Sequence, residues 1–368
     1  GSRMQLRGTA ERGLSTVDLA LTGDARLEVL NRQIAPRSVQ GTVGFDLRLR
    51  GAPALTSLSG RVTTSGARVA LPEENVGIEA LAMTADIADG SASLTGQGRF
   101  RDGGSAVLGG RLGIVPPFDA DLTAVLTGVV LRRPGLLESR LGGQVSLAGP
   151  VTGGGTISGQ ITVEETQITV VPPGPDFGFL PEIEHLNESA ASRATRVRAG
   201  LAGDGARVRG GGAVHALDLA VNAPTRVFVR GFGLDAELGG SLRLRGTTAD
   251  IRPEGEIGLI RGRFSLFGQR FILDQGLVQL QGSLVPSVDF TALADTASGT
   301  TSIRLFGPVD RPEIEFSATS GLPEEEVIAE LLFGSRLDNL STFQLVQLAN
   351  AIASLGGQGG DGIAGRLR

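Results

Sequence analysis

Cysteine does not occur in the 368 residues, so no disulfide framework, zinc ribbon or thiol nucleophile can be built. Lysine is absent as well, and all 34 basic residues are arginine. That excludes Schiff-base chemistry and the phosphate-binding lysine of a P-loop. Tryptophan and tyrosine are missing, which leaves 15 phenylalanines as the whole aromatic complement. The arginines are scattered and the net charge is −5, so the basic patch and stacking rings of a nucleic-acid binder are lacking. Two histidines, His185 and His215, are thin material for a metal site. No apolar run approaches the ~18 residues of a membrane-spanning helix, and no signal-peptide core is seen. Gly1-Ser2-Arg3-Met4 reads as a remnant of cloning ahead of a fragment of something anchored.

Glycine is abundant, at 56 residues, yet 40% of the chain is hydrophobic and the mean hydropathy is +0.11. A disordered glycine-rich chain would be more polar, so this one folds. Its length exceeds the ~250–300 residues at which single cores stop growing. Two or three units, or one elongated unit, are the physical options.

Most of the chain alternates with period two. In Thr42–Arg50, Val43, Phe45, Leu47 and Leu49 share one face. Ile161 and Val163 do the same, and Leu242 and Leu244 stand opposite Arg243 and Arg245. Such strands are dry on one side and wet on the other, as in antiparallel sheets. Asp89-Gly90, Asp102-Gly103-Gly104 and Gly203-Asp204-Gly205 punctuate them as turns. Glycines at 41, 51 and 60, at 143, 149 and 159, and at 240, 246 and 255 bound strands on a shared plan. The echoes lie about 100 residues apart, as in a sheet grown from similar units, although any glycine-rich β protein shows some of this.

Residues 5–171 therefore read as a repetitive sheet segment and 199–320 as a second stretch of sheet. Between them, 172–198 opens with Val171-Pro172-Pro173-Gly174-Pro175 and reads as a loop, with a short helix near Pro181–Glu188. In 321–368 the period changes. Pro323 and Glu324-Glu325-Glu326 start a helix whose apolar face holds Val327, Ile328, Leu331 and Leu332. A second helix over 341–355 carries Leu345, Leu348, Ala351 and Ile352, and a glycine-rich tail follows.

Catalytic motifs are not evident. Gly357–Gly362 matches a dinucleotide fingerprint in letters only, because it follows a helix where the phosphate turn must follow a strand. Asp119 and Asp121 lie at strand spacing, but paired carboxylates on a wet face are the plainer reading. Glu164-Glu165 and Glu73-Glu74 are adjacent and would point to opposite faces. No catalytic residue, metal ligand or cofactor is assigned.

The region from 240 to 320 carries pairs of large apolar residues two apart. They are Ile257 and Leu259, Phe264 and Leu266, Phe271 and Leu273, Val278 and Leu280, Val288 and Phe290, Ile303 and Leu305, Ile314 and Phe316. These fourteen are either an ordinary sandwich core or the lining of a curved sheet whose apolar face is open to a lipid chain.

From about Val214 to Arg368 the sequence resembles the C-terminal, DUF490-type region of the TamB family. The likeness rests on Asn222–Gly231, Leu238–Leu242, Gly255–Gly262, Phe271–Gly276, Pro286–Asp289 and Gly307-Pro308 with Pro312. It continues in Leu322–Glu326, Leu331-Leu332-Phe333-Gly334 and Gln347-Leu348-Ala349. The resemblance implies a mainly β protein folded into an elongated trough, or β-taco, with short amphipathic helices near its end. It implies a periplasmic segment of a protein anchored in the inner membrane, similar to the AsmA-like bridge proteins associated with phospholipid movement. It also implies a partner, the Omp85-type outer-membrane barrel TamA, in the assembly of autotransporters. The family pattern extends beyond both ends, with an anchor before and more strands after Arg368. With a turn about every ten residues, such a sheet would hold about 30 strands and stack to about 150 Å. Phospholipid carriage and a chaperone-like role in barrel assembly are the two functions to weigh first; a third, a secreted β-solenoid enzyme, would need an acidic cluster in a polar cleft, and the sequence shows none.

Overall fold

The computed structural model describes residues 2–355 apart from 12, 14, 73–74, 171–188, 190–212, 232, 267–268 and 297–298. The expected loop at 172–198 with its short helix, His185, Glu73-Glu74, the 203–205 turn and the tail motif at 357–362 lie outside these residues, Ser189 excepted.

Alternation becomes strand after strand. The first stretch holds β1 (Arg3–Ala10), β2 (Val17–Arg26), β3 (Ser38–Gln40), β4 (Thr42–Gly51), β5 (Leu58–Leu71) and β6 (Val76–Ala88). It continues with β7 (Ser91–Phe100), β8 (Ser105–Gly113), β9 (Asp119–Arg133), β10 (Leu137–Pro150) and β11 (Thr156–Thr169). The second holds β12 (Ala216–Gly231), β13 (Leu234–Gly246), β14 (Ile251–Leu266), β15 (Gln269–Gln281), β16 (Ser287–Thr296), β17 (Gly299–Pro308) and β18 (Glu313–Ala318). Among the described residues the α-helices are α1 (Asn31–Ile34), α2 (Glu324–Phe333) and α3 (Thr342–Leu355).

All eighteen strands belong to one open, curved sheet. Its order follows the chain: β2 lies between β1 and β4, β3 and β4 both pair with β5, and each later strand pairs with the next as far as β18. Pairing is antiparallel except between β11 and β12, which run parallel. The sheet thus continues from one side of the 171–212 region to the other. Strands reach 16 residues, longer than the ten-residue spacing implied. Eighteen strands at ~4.8 Å each, with β3 and β4 sharing one tier beside β5, give roughly 80 Å, about half the expected length.

Turn chemistry explains the tight hairpins. Asp89 and Gly90 join β6 to β7 with φ of 49° and 73°, the left-handed pair that matches strand twist. Within strands, Gly60 has φ +134°, and a Cβ there would lie 2.1 Å from the Asp46 carbonyl oxygen. Gly143 repeats this with φ +134° and 2.2 Å to the Gln160 oxygen. Both belong to the glycine series read in the sequence, and only glycine fits there.

Register shifts run from strand to strand. They fall at Arg140/Leu141 and Leu141/Gly143 in β10, at Thr162/Thr166 in β11, at Ala223/Val227 in β12, at Glu237/Leu238 in β13 and at Leu273/Gln275 in β15. Bulges bend strands, so a line of them is a bend in the sheet. The turns define two rims. The first carries the β13–β14, β15–β16 and β17–β18 turns, and the second carries the ends of β14, β16 and β18.

The carboxylates of Glu324, Glu325 and Glu326 favour the positive end of α2. Gly334, with φ 63°, ends it by donating its N–H to the Glu330 carbonyl at 2.8 Å. Ser341 and Gln344 form a capping box for α3: the Ser341 N–H donates to Gln344 Oε1 at 2.8 Å, and the Gln344 N–H donates to Ser341 Oγ at 3.4 Å.

Candidate functional site

Directly paired residues point to the same face of a sheet, so the ladders themselves sort the side chains. One row runs Met4, Gly23, Phe45, Val62, Ala85, Leu94, Gly110, Leu122, Leu147, Ile157 and Leu217. It crosses from β1 to β12 without a charged or polar side chain. A second row runs Gly240, Ile257, Val278, Val288 and Gly307. A third runs Leu273, Ala292, Ile303 and Phe316. The apolar face is continuous through the parallel step, where Ile161 meets Val221 and Ile168 meets Val229.

All fourteen residues singled out between Ile257 and Phe316 fall on this face. The sheet divides them into two groups. Near the second rim, Phe271, Leu273, Ile303 and Phe316 are 0–8% exposed and pack with Val327, Ile328, Ala329 and Leu331 of α2 and Leu348 of α3. Leu259, Phe264, Leu266 and Ile314 are half-buried against that cluster, and the Phe264 and Phe271 rings sit 6.4 Å apart. Around the bend, Ile257, Leu259, Val278 and Phe290 pack on buried Ala223, Val227 and Leu238. Val288 is buried, while Leu280 and Leu305 are half-buried near the first rim. Upstream, the same face continues with Leu19, Leu21, Phe45, Leu47 and Val62, all only half-buried. The alternation at 42–50 carries the same signal as the apolar pairs between 240 and 320.

A hydroxyl pair interrupts the face. Ser139 and Thr166 are both buried, and their oxygens lie 2.6 Å apart, so each satisfies the other.

Charge lies mainly on the opposite face, although Arg133 pairs with Leu137 on the apolar side at the end of β9. Arg243 donates two bonds to Asp218 at 2.7 and 2.9 Å, and Arg304 two to Asp289 at 3.0 and 2.8 Å. Arg132 and Glu138, and Arg48 and Asp18, form the same forks. In each the guanidinium bond holds the carboxyl below its ordinary range. At the bend, Arg226 has φ 67° and its guanidinium meets Glu165, while Glu237 accepts from the Arg226 N–H and from Arg261. The Arg261 bond is the main cause of the lowered Glu237 pKa. Phe228 and Phe306 also lie on this face, each under a guanidinium, Arg230 at 5.2 Å and Arg304 at 4.8 Å. Exposed surface pairs add little energy, but they penalise a one-residue slip that would turn them into the apolar face.

Asp119 and Asp121 are exposed on the polar face, and Asp121 stands opposite Arg111. His215 begins beside β12, where its N–H donates to Thr248 Oγ1 at 3.2 Å. A concavity of about 1090 Å³ on the polar face is lined by threonines such as Thr63, Thr84, Thr95 and Thr123. Among the described residues no three His, Cys, Asp or Glu side chains are grouped to hold a metal. No described helix is long and apolar enough to cross a membrane.

A long bent sheet with one largely apolar face, partly roofed by its own helices, defines an elongated β-trough protein. The sequence matches the family described as the TamB C-terminal domain over residues 95–368, and the chain belongs to the TamB family. It is 26% identical over 128 residues to the translocation and assembly module subunit TamB of Haemophilus influenzae (strain ATCC 51907 / DSM 11121 / KW20 / Rd). That stretch is 33% of this chain and 10% of the relative, so the match spans a tenth of the relative's length.

Proposed function

We propose that this chain is a periplasmic segment of an envelope bridge that carries phospholipid along its apolar face from the inner to the outer membrane. The observation that supports this is the row from Met4 to Leu217, which stays apolar across the sheet and has no described element of the chain packed over its middle. An acyl chain on that surface gains ~0.8 kcal/mol for each methylene taken from water. No covalent step is needed. The test is lipid extraction and mass spectrometry on the purified chain and on Leu47→Asp. Phospholipid that copurifies with the wild type and is lost from a folded Leu47→Asp supports carriage. A folded wild type free of lipid in a lipid-rich lysate sinks it.

A second reading is a scaffold for autotransporters and other outer-membrane barrel proteins, working with an Omp85-type barrel. It draws on the relative's name and on the sheet edges: among the described residues, β1 pairs only with β2 and β18 only with β17. Unpaired ladders recruit strands. Crosslinks from β18 to nascent barrel strands would favour it.

A further inference from the structure

We propose that α2 and α3 are a resident filler of the trough. On this reading they hold the second-rim half of the apolar face over β13–β18 permanently, and cargo there is confined to the first-rim half. The inference rests on the carriage reading above and adds where the path narrows.

The cluster under the helices spans Ala236, Phe271, Ala292, Ile303 and Phe316, that is, five strands on the second-rim side of the bend. Ile328 and Ala329 are 0% exposed, and Val327 is 1% exposed, so this contact has the density of a protein interior. The chain ties it locally: Glu324 Oε1 accepts from the Phe316 N–H at 3.3 Å, and only residues 319–323 separate β18 from α2. An acyl chain cannot share that volume. On the first-rim side the neighbours of the same strands, Leu242, Leu280 and Leu305, stay half-buried and lie outside the helix cluster. They join the open face upstream through Val221, which pairs with Ile161 and Leu242. A path one wall wide therefore remains.

The absence of cysteine makes single sites addressable. Leu47→Cys, Leu280→Cys, Ile303→Cys and Ala292→Cys would each be incubated with vesicles of phosphatidylethanolamine and phosphatidylglycerol. The vesicles are doped with a phospholipid bearing a maleimide at the end of one acyl chain. Adducts are counted by mass spectrometry, and circular dichroism checks folding. Ala292→Cys, a swap between small residues, keeps the covered half testable if Ile303→Cys unfolds. The expected result is adduct at Leu47→Cys and Leu280→Cys, and at least ~10-fold less at the covered sites, which local opening alone would expose. Equal labelling at Ala292→Cys and Leu280→Cys overturns the filler and leaves carriage standing. Labelling at Leu47→Cys alone also overturns it, because the narrowed path would then carry nothing. No adduct at any site overturns carriage, and the filler with it.

Discussion

Leu47 and Ile303 hold equivalent places. Each points into the apolar face from mid-strand, Leu47 between Leu21 and Gly60, Ile303 between Ala292 and Phe316. Leu47 is half-buried, whereas Ile303 is 6% exposed beneath the helices. The upstream sheet and the C-terminal sheet therefore share one pattern with two outcomes. Where α2 and α3 fold back, the face becomes a core; elsewhere it is buried at single positions such as Leu94, Val129, Val227 and Leu238 and is otherwise largely half-exposed. Strand pattern decides which side is apolar, and the packing over that side decides how much of it is available.

Substitutions can break this contrast. The largest effect is expected at Phe271→Ala, which empties a fully buried site and should cost about 3–5 kcal/mol in chemical denaturation. Leu47→Ala, at a half-buried position, should cost about 1–2 kcal/mol, so equal losses at the two sites would erase the distinction. Next comes Gly60→Ala, which forces a Cβ against the Asp46 carbonyl and should cost about 1–3 kcal/mol. Gly66 also has a positive φ, +70°, but no neighbouring atom lies within 4 Å of its Cβ position, so Gly66→Ala should cost less in the same assay. Thr166→Val leaves Ser139 buried without its partner and should cost about 1–2 kcal/mol, a loss that the double variant with Ser139→Ala should largely recover.

Smallest of all is Arg304→Gln, an exposed pair for which no resolvable change in melting temperature is expected at neutral pH. Whatever small loss it causes belongs to neutral pH and closes in acid. The carboxyls of Asp18, Asp218, Glu237 and Asp289 are held below their ordinary values by arginine bonds. Their folded pKa values are depressed, so their stabilisation is present above the unfolded value near ~4 and is lost as pH falls through the folded values. The melting temperature should hold from pH 7 to about 5 and decline below about 4. Arg304→Gln should flatten that decline slightly, and added salt should flatten it further.

Much of this fold was legible in the sequence. The fourteen residues from Ile257 to Phe316 stand out by alternation, and register puts all of them on one side, because both members of each pair lie on the same side of any bulge. Alternation fails at the bulges themselves. Ile260 is 45% exposed beside one, and Ile272, which pairs with Leu293 on the polar face, is 68% exposed. Phe306 reads as core by composition, yet it faces outward under Arg304. Helix α2 was visible in Val327, Ile328, Leu331 and Leu332, but its docking place was not, since a helix's apolar stripe does not name its partner. Strand number was overestimated because strands carried across the bend are longer than a flat hairpin's. The parallel step from β11 to β12 left no local mark.

That step has a consequence for how the molecule is dimensioned. In a pure meander every added strand exchanges the rim on which the next turn falls, and strands added two at a time restore it, extending the reach by ~10 Å. Because β12 runs in the direction of β11, everything after it is inverted by one phase. The last strand accordingly delivers the chain to the second rim, beside Phe271 and Phe316, rather than to the first. One change of direction in mid-sheet thus selects which wall of the trough is left bare some 100 residues later, roughly 30 Å along the stack at ~4.8 Å per strand.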